Sequence, residues 1–292
     1  MASEAVHQTA PEMYFEDFRV GQRYRSPKRT VTDADIARFV ELSGDAAAIH
    51  IDGDYARSLG FDGPLAHGPL GLAIVFGLLF ELGTVRSTAI AMLDLDWRFS
   101  APIHAGDELG FEMTITRCRR SRSKPAGVVH RHFDLFNGAG TVVQSGTSAM
   151  MVRARDQNHD GGSQVRADFG SVAWGELLVG RLAASVPFGE ATSTFDGTVG
   201  LEAGTDSIQL RLYKGRVLEC VRSAPRGATF TLSGSELAWV NLAGAPRNEF
   251  VARTMAGDFS VTGDVYEYLR LTKAMVALWD CIRELAAEGM AR

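Results

Sequence analysis

The run from Gly68 through Pro69, Leu70, Gly71 and Leu72 to Phe80 constrains the fold of this chain more than any other stretch. Proline at a first-turn position lacks only an N–H that a helix would leave unpaired, so a helix is predicted to open there. No charge interrupts it before Glu81. A helix that is apolar all round must be buried on every side. It is too short to cross a bilayer, which needs about 20 residues. It therefore has to be wrapped by other elements of a water-soluble fold.

The segments that follow can do the wrapping. Thr88 to Phe99 reads as a strand. Leu109, Phe111, Met113 and Ile115 alternate with Glu112, Thr114 and Thr116, the period of a half-buried strand. Val128 to Phe136 and Thr141 to Val152 are joined by Asn137-Gly138-Ala139-Gly140, a hairpin turn. A buried helix followed by an antiparallel meander is the hotdog arrangement, within an α+β class.

Upstream, Arg23 to Val31 reads as extended. Thr32 caps a helix with Asp33 and Asp35 in its first turn, and Ile36, Phe39, Val40 and Leu42 form its apolar face. That helix ends at Ser43-Gly44. Asp45 and His50 follow, a carboxylate and an imidazole five positions apart, able together to hold a water and move its protons. Read singly, Asp45 is a turn carboxylate and His50 a satisfied buried histidine. Read with Gly68, which opens the apolar helix, they suggest a small acid–base site beside a helix N-terminus.

The polar stretch 155–168, with paired glycines and no periodicity, is expected to link a first domain, 1–154, to a second, 169–292. In the second, Gly170 to Val186 reads as an amphipathic helix. Short strands are predicted near Thr192–Leu201, Ser207–Tyr213, Arg216–Arg222 and Thr229–Leu232. Short helices follow near Leu237–Val240 and Asn248–Met255, then a strand Asp258–Thr262. A single long helix runs from Val265, its stripe marked by Tyr268, Thr272, Met275, Trp279 and Ile282.

Composition excludes some functions. A net charge of −5 gives no general attraction for nucleic acid. Three scattered cysteines, Cys118, Cys220 and Cys281, form neither a disulfide framework nor a metal-binding spacing. The first twelve residues lack the apolar core of a signal peptide, so a cytoplasmic protein is expected. No metal and no cofactor is expected.

The first half resembles the MaoC-like hydratase family, also called hydratase 2. The resemblance rests on Ser43-Gly44-Asp45, Ile49-His50, Ala66-His67-Gly68, and the later Pro102 with Gly106-Asp107, over roughly residues 14 to 154. Ala47-Ala48 stands where the family has Asn-Pro. The resemblance implies reversible hydration of a trans-2-enoyl thioester, or dehydration of the (R)-3-hydroxyacyl thioester. Asp45, His50 and Gly68 would be catalytic, the substrate carried on coenzyme A or an acyl carrier protein, and the protein a homodimer in which Gly71 and Gly77 admit a second subunit. His67 is either a substrate contact or a helix-entry histidine that caps or packs. Arg119, Arg120, Arg122 and Lys124, beside Arg117, form either a solvated turn or a contact for phosphates. Alternatives are a hotdog thioesterase and a non-catalytic acyl-binding protein. The second half resembles sterol carrier protein type 2 domains around Tyr213-Lys214-Gly215-Arg216 and Phe259 to Asp264, which implies a lipid tunnel; a closed core that stabilises a dimer or docks a partner is the other reading.

Overall fold

The computed structural model describes residues 12–155 and 162–290. They cluster into two compact units. The first holds 12–17, 23–114 and 123–155, and the second holds 18–22, 115–122 and 162–290. The division therefore falls inside the expected linker, but 18–22 and 115–122 group with the second unit. Residues 156–161 of the expected linker lie outside the described residues; the rest includes a short helix.

In the first unit, β1 (Arg23–Arg25) and β2 (Arg29–Thr30) precede α1 (Asp33–Ser43), two short helices α2 (Ala48–Ile51) and α3 (Gly53–Ser58), and the apolar α4 (Gly68–Leu82). Then come β3 (Ala89–Phe99), β4 (Glu108–Arg120), β5 (Ala126–Phe136) and β6 (Val142–Arg153). The strands form one sheet in the order β1-β4-β5-β6-β3, with β2 also on β4. The pairs β1–β4, β2–β4, β5–β6 and β3–β6 are antiparallel. Along β5, Val129, Arg131, Phe133 and Leu135 are buried while His130, His132 and Asp134 are partly open, as strand alternation requires.

Sheet and helix meet closely. A Cβ on Gly71 would collide with the Gln144 side chain from β6, and one on Gly68 would come within 2.8 Å of the Phe99 ring. This is a helix laid against an antiparallel sheet, the expected hotdog arrangement. Two expectations are corrected. The helix is not buried on every side: Pro69, Ala73, Gly77 and Phe80 form an exposed stripe, with Phe80 63% accessible. Gly71 does not admit another subunit, because Gln144 of the same chain fills its place. Leu42, read as part of α1's apolar face, is also exposed.

The start of α1 follows from its sequence. The Thr32 hydroxyl accepts from the Asp35 N–H, and the Asp35 carboxylate accepts from the Thr32 N–H, a reciprocal capping box. Burial pushes the Asp35 carboxyl up, but the Thr32 hydrogen bonds and Arg29 outweigh it and hold it below the usual range.

The second unit begins with α5 (Gly162–Val165), α6 (Val172–Ala184) and α7 (Val186–Ala191). Strands β7 (Asp196–Ala203), β8 (Asp206–Tyr213), β9 (Arg216–Val221) and β10 (Phe230–Gly234) follow, then α8 (Glu236–Ala243), α9 (Phe250–Met255), β11 (Phe259–Gly263), α10 (Val265–Arg270) and α11 (Thr272–Ala287). The sheet order is β11-β10-β7-β8-β9, antiparallel except for the parallel pair β10–β7. The closing helix is thus two helices, broken at Leu271, rather than one. Trp174, Trp239, Trp279, Phe250 and Phe259 are buried and in mutual ring contact. Among the described residues no helix is long and apolar enough to cross a membrane.

Candidate active site

The first unit brings Asp45, His50 and His67 together. Gly44 ends α1 in the left-handed region (φ 76°), its N–H bonded to the Val40 carbonyl. Glycine adopts that conformation without the strain a Cβ would bring. The Asp45 N–H then donates to the Ser43 hydroxyl (3.2 Å), and the Asp45 carboxylate accepts from the Ala47 N–H (3.2 Å). This side-chain turn carries the chain into α2, where His50 sits one turn on. His67 is the last residue before α4.

The two imidazoles stack, with ring centroids 3.7 Å apart and planes at 25°, and Phe39 lies 4.9 Å from His67 on the α1 side. The His67 ring is buried, whereas the Asp45 side chain is 55% accessible. His67 Nε2 lies 2.9 Å from the Asp45 carbonyl oxygen and 3.9 Å from its carboxylate. His50 Nδ1 lies 2.8 Å from the Leu65 carbonyl oxygen. A carbonyl oxygen can only accept, so these bonds set each neutral tautomer: Nδ1 of His50 and Nε2 of His67 carry the protons. His50 Nε2 is left with a lone pair. His67 Nδ1 is buried without a hydrogen-bond partner. His67 thus packs and ties the Asp45 backbone to the start of α4, in keeping with the packing reading.

The acceptors are themselves anchored. The Leu65 N–H donates to the Ile49 carbonyl, and the Ala66 N–H to that of Ile103. The loop carrying Pro102 is held by Gly106 N–H to the Val31 carbonyl and by the Asp107 carboxylate, which accepts from the His104 N–H. Gln144, which sequence reasoning missed, donates to the Gly68 carbonyl (3.0 Å) and accepts from the Trp97 indole (2.9 Å). No local pattern marks it, because its partners are remote in the chain. Gly68 N–H takes no acceptor among the described residues, and it stands at the positive end of a four-turn helix.

Donor atoms of Asp45, His50 and His67 all lie within 4.8 Å of one another, so these are the residues that could hold a cation. They equally suit holding a water between a carboxylate and an imidazole lone pair.

The basic cluster is divided by the structure. Arg117, in the second unit, is 2% accessible and ion-paired to Asp206 (2.8 Å), Glu236 (2.9 Å) and Asp168 (3.4 Å). Arg119 pairs with Asp168 (2.9 Å) and Asp206 (2.5 Å). Burial pulls the Arg119 pKa down, but these carboxylates outweigh it and raise it. The expectation of a phosphate contact is therefore corrected for Arg119, whose guanidinium is already committed to two carboxylates. Arg120 is half-buried at the end of β4, and Arg122 and Lys124 are exposed in the turn after it.

Comparison with known proteins agrees with the first unit. Residues 17–133 match the family described as MaoC like domain. A beta-methylmalyl-CoA dehydratase from Chloroflexus aurantiacus is 31% identical over 154 residues, covering 51% of this chain and 43% of its own length. An (R)-specific enoyl-CoA hydratase from Rhodospirillum rubrum is 31% identical over 147 residues, covering 49% of this chain and 93% of its own. Among solved structures, a monoamine oxidase regulatory protein from Archaeoglobus fulgius is 28% identical with a TM-score of 0.47, over 50% of this chain and 97% of that one. The chain thus spans less than half of the first relative and nearly all of the second.

Proposed function

Because the chain belongs to the MaoC-like domain family through residues 17–133, we propose that its first unit hydrates a trans-2-enoyl thioester reversibly, or dehydrates the (R)-3-hydroxyacyl thioester. The observation that carries this reading is the convergence of the Asp45 carboxylate and the His50 imidazole next to the opening of α4. In the hydration direction, water loses a proton to the Asp45–His50 pair as its oxygen bonds to C3. The C2–C3 π electrons move toward the thioester, whose oxygen becomes enolate-like and accepts from the Gly68 N–H. C2 then takes a proton from the same pair. The Leu65 carbonyl holds the His50 tautomer that presents Nε2 as the base. Which residue takes the first proton is a property of the coupled pair.

Ala47-Ala48 in place of Asn-Pro is compatible with this chemistry. Ala47 has φ −58° and ψ 138°, the extended conformation a residue adopts before proline. Ala48 opens α2, where a proline would fit. The loop keeps its shape through the Asp45–Ala47 bond.

A homodimer is proposed along β3. It is the edge of the sheet, and Leu93 and Phe99 on it are exposed. An edge strand with exposed apolar side chains is a template for a second strand. Coenzyme A phosphates or an acyl carrier protein are the occupants proposed for exposed Arg122 and Lys124, on charge alone. For the second unit, a sterol-carrier-like lipid site is the weaker reading. Its interlocked tryptophans and phenylalanines favour a closed core that stabilises the protein or docks a partner.

The test is to incubate the full chain with crotonyl-CoA and longer enoyl-CoA thioesters, following enone absorbance and free thiol together. Loss of absorbance without thiol release is expected. Thiol release would make the protein a thioesterase, and binding with neither change would make it a carrier; either result overturns the proposal.

A further inference from the structure

Gln144 lies on β6 and is 1% accessible. Its Oε1 accepts from the Trp97 indole N–H of β3 (2.9 Å), and its Nε2 donates to the Gly68 carbonyl at the start of α4 (3.0 Å). An indole N–H can only donate and a carbonyl oxygen can only accept, so the amide has a single orientation here. Its place against α4 exists because Gly71 has no side chain: a Cβ there would collide with the amide. Gly71 stands three residues after Gly68, on the same face of the helix.

Gly68 needs an outside hold. It is the first residue of α4 and stands directly before Pro69. A residue before proline is steered away from helical backbone, and glycine has the widest choice of alternatives. Two ties act on the chain just before it. The Ala66 N–H donates to the Ile103 carbonyl, and His67 Nε2 lies 2.9 Å from the Asp45 carbonyl oxygen. Gln144 acts on the peptide just after it. The direction of the Gly68 N–H is thus set from both sides.

We propose that Gln144 is a positioning residue for thioester hydration: it aims the Gly68 N–H at the place where the thioester oxygen becomes enolate-like, and the bare Gly71 lets it reach. The proposal rests on the hydration reading of the first unit. An aimed donor matters most when negative charge develops in the transition state, so loss of Gln144 acts on kcat and little on KM. The residues that Gln144 bonds, packs on or pairs with are Gly68, Gly71, Trp97, Phe99 and Leu135. None of them titrates, so the amide and its surroundings bring no pH dependence of their own.

The experiment is steady-state hydration of crotonyl-CoA by the full chain and its variants. Gln144→Met, similar in length but without the amide, should lower kcat about 10²-fold, the cost of a misplaced group, with KM changed by less than about threefold. Gly71→Ala, whose methyl displaces the amide, should lower kcat in the same way. The two changes combined should be no worse than either alone, since both remove one tether. Gln144→Glu adds a pH readout. Its carboxylate has no proton to give the Gly68 carbonyl, whereas the protonated acid donates as the amide does, and burial raises the pKa between the two forms. Relative to the parent, its kcat should match that of Gln144→Met near about pH 9 and climb toward the parent as pH falls to about 6. A side chain that only fills space shows no such rescue. Parent-level kcat in Gln144→Met, a loss confined to KM, or a Gln144→Glu protein no closer to the parent at the low-pH end than Gln144→Met would each overturn the proposal and leave hydration standing. A parent protein that hydrates no enoyl-CoA would instead remove the hydration reading, and this proposal with it. Should Gln144→Met fail to fold, Gly71→Ala and the pH series of Gln144→Glu decide by themselves.

Discussion

Two clusters of ionisable groups, one in each unit, are built on opposite principles. Around Asp45, His50 and His67, both imidazoles bond to backbone carbonyls, the Asp45 carboxylate accepts from the Ala47 N–H, and its second oxygen and the His50 Nε2 lone pair take no hydrogen bond among the described residues. Around Arg117 and Arg119, charge meets charge: Asp168, Asp206 and Glu236 surround the guanidinia, and the Phe169 and Ala203 carbonyls accept from Arg117 as well. The first cluster is held in place by groups that do not consume its reactivity. The second spends its valences on itself. Open valences on a rigid frame suit proton transfer, whereas closed ones suit holding chain segments together.

The contrast can be broken by substitution, because each cluster should fail in its own observable. Asp45→Asn and His50→Ala should each lower kcat for enoyl-CoA hydration by about 10²–10⁴-fold, the usual worth of a positioned acid–base group. Their unfolding free energies, from urea titration, should change by less than about 1 kcal/mol. Full activity in both variants would remove the dyad from the mechanism. Arg117→Met should do the reverse. It leaves three carboxylates without their central partner and should cost about 3–5 kcal/mol of stability in the same titration, with turnover per folded molecule unchanged. A loss under 1 kcal/mol would show that Arg119 and solvent compensate. The smallest effect concerns the loop between the dyad residues. Ala48→Pro should stabilise by about 0.4–1 kcal/mol by restricting the unfolded chain, since the Ala48 N–H has no acceptor among the described residues. Destabilisation would mean that the loop has left the proline-compatible shape.

The legible part of the site was the part built from near neighbours. Ser43-Gly44-Asp45 and Ile49-His50 sit in one turn-and-helix segment, and Gly68 opens the next long helix, a set that the resemblance to the MaoC-like family brought together. Gln144 was not legible, since a glutamine in a strand has no pattern that points to a helix N-terminus 76 positions away. Arg117 and Arg119 were misjudged for the same reason. Read along the chain they form a basic run, and their partners arrive from elsewhere, Asp206 being 87 positions from Arg119. The unbroken helix expected after Val265 also failed, because its apolar stripe continues across the break at Leu271 and periodicity does not register one.

By itself, the sequence determined that an apolar helix would be wrapped by an antiparallel meander and that an acid, a histidine and a helix-opening glycine would lie close together. Those outcomes follow from periodicity, caps and turns, which act over a few residues. Only the tertiary structure decided which valences stay open. It fixed the His50 tautomer by supplying the Leu65 carbonyl, and it neutralised Arg117 and Arg119 with distant carboxylates. Net charge at a point depends on which side chains converge there in space, and no local pattern along the chain carries that information.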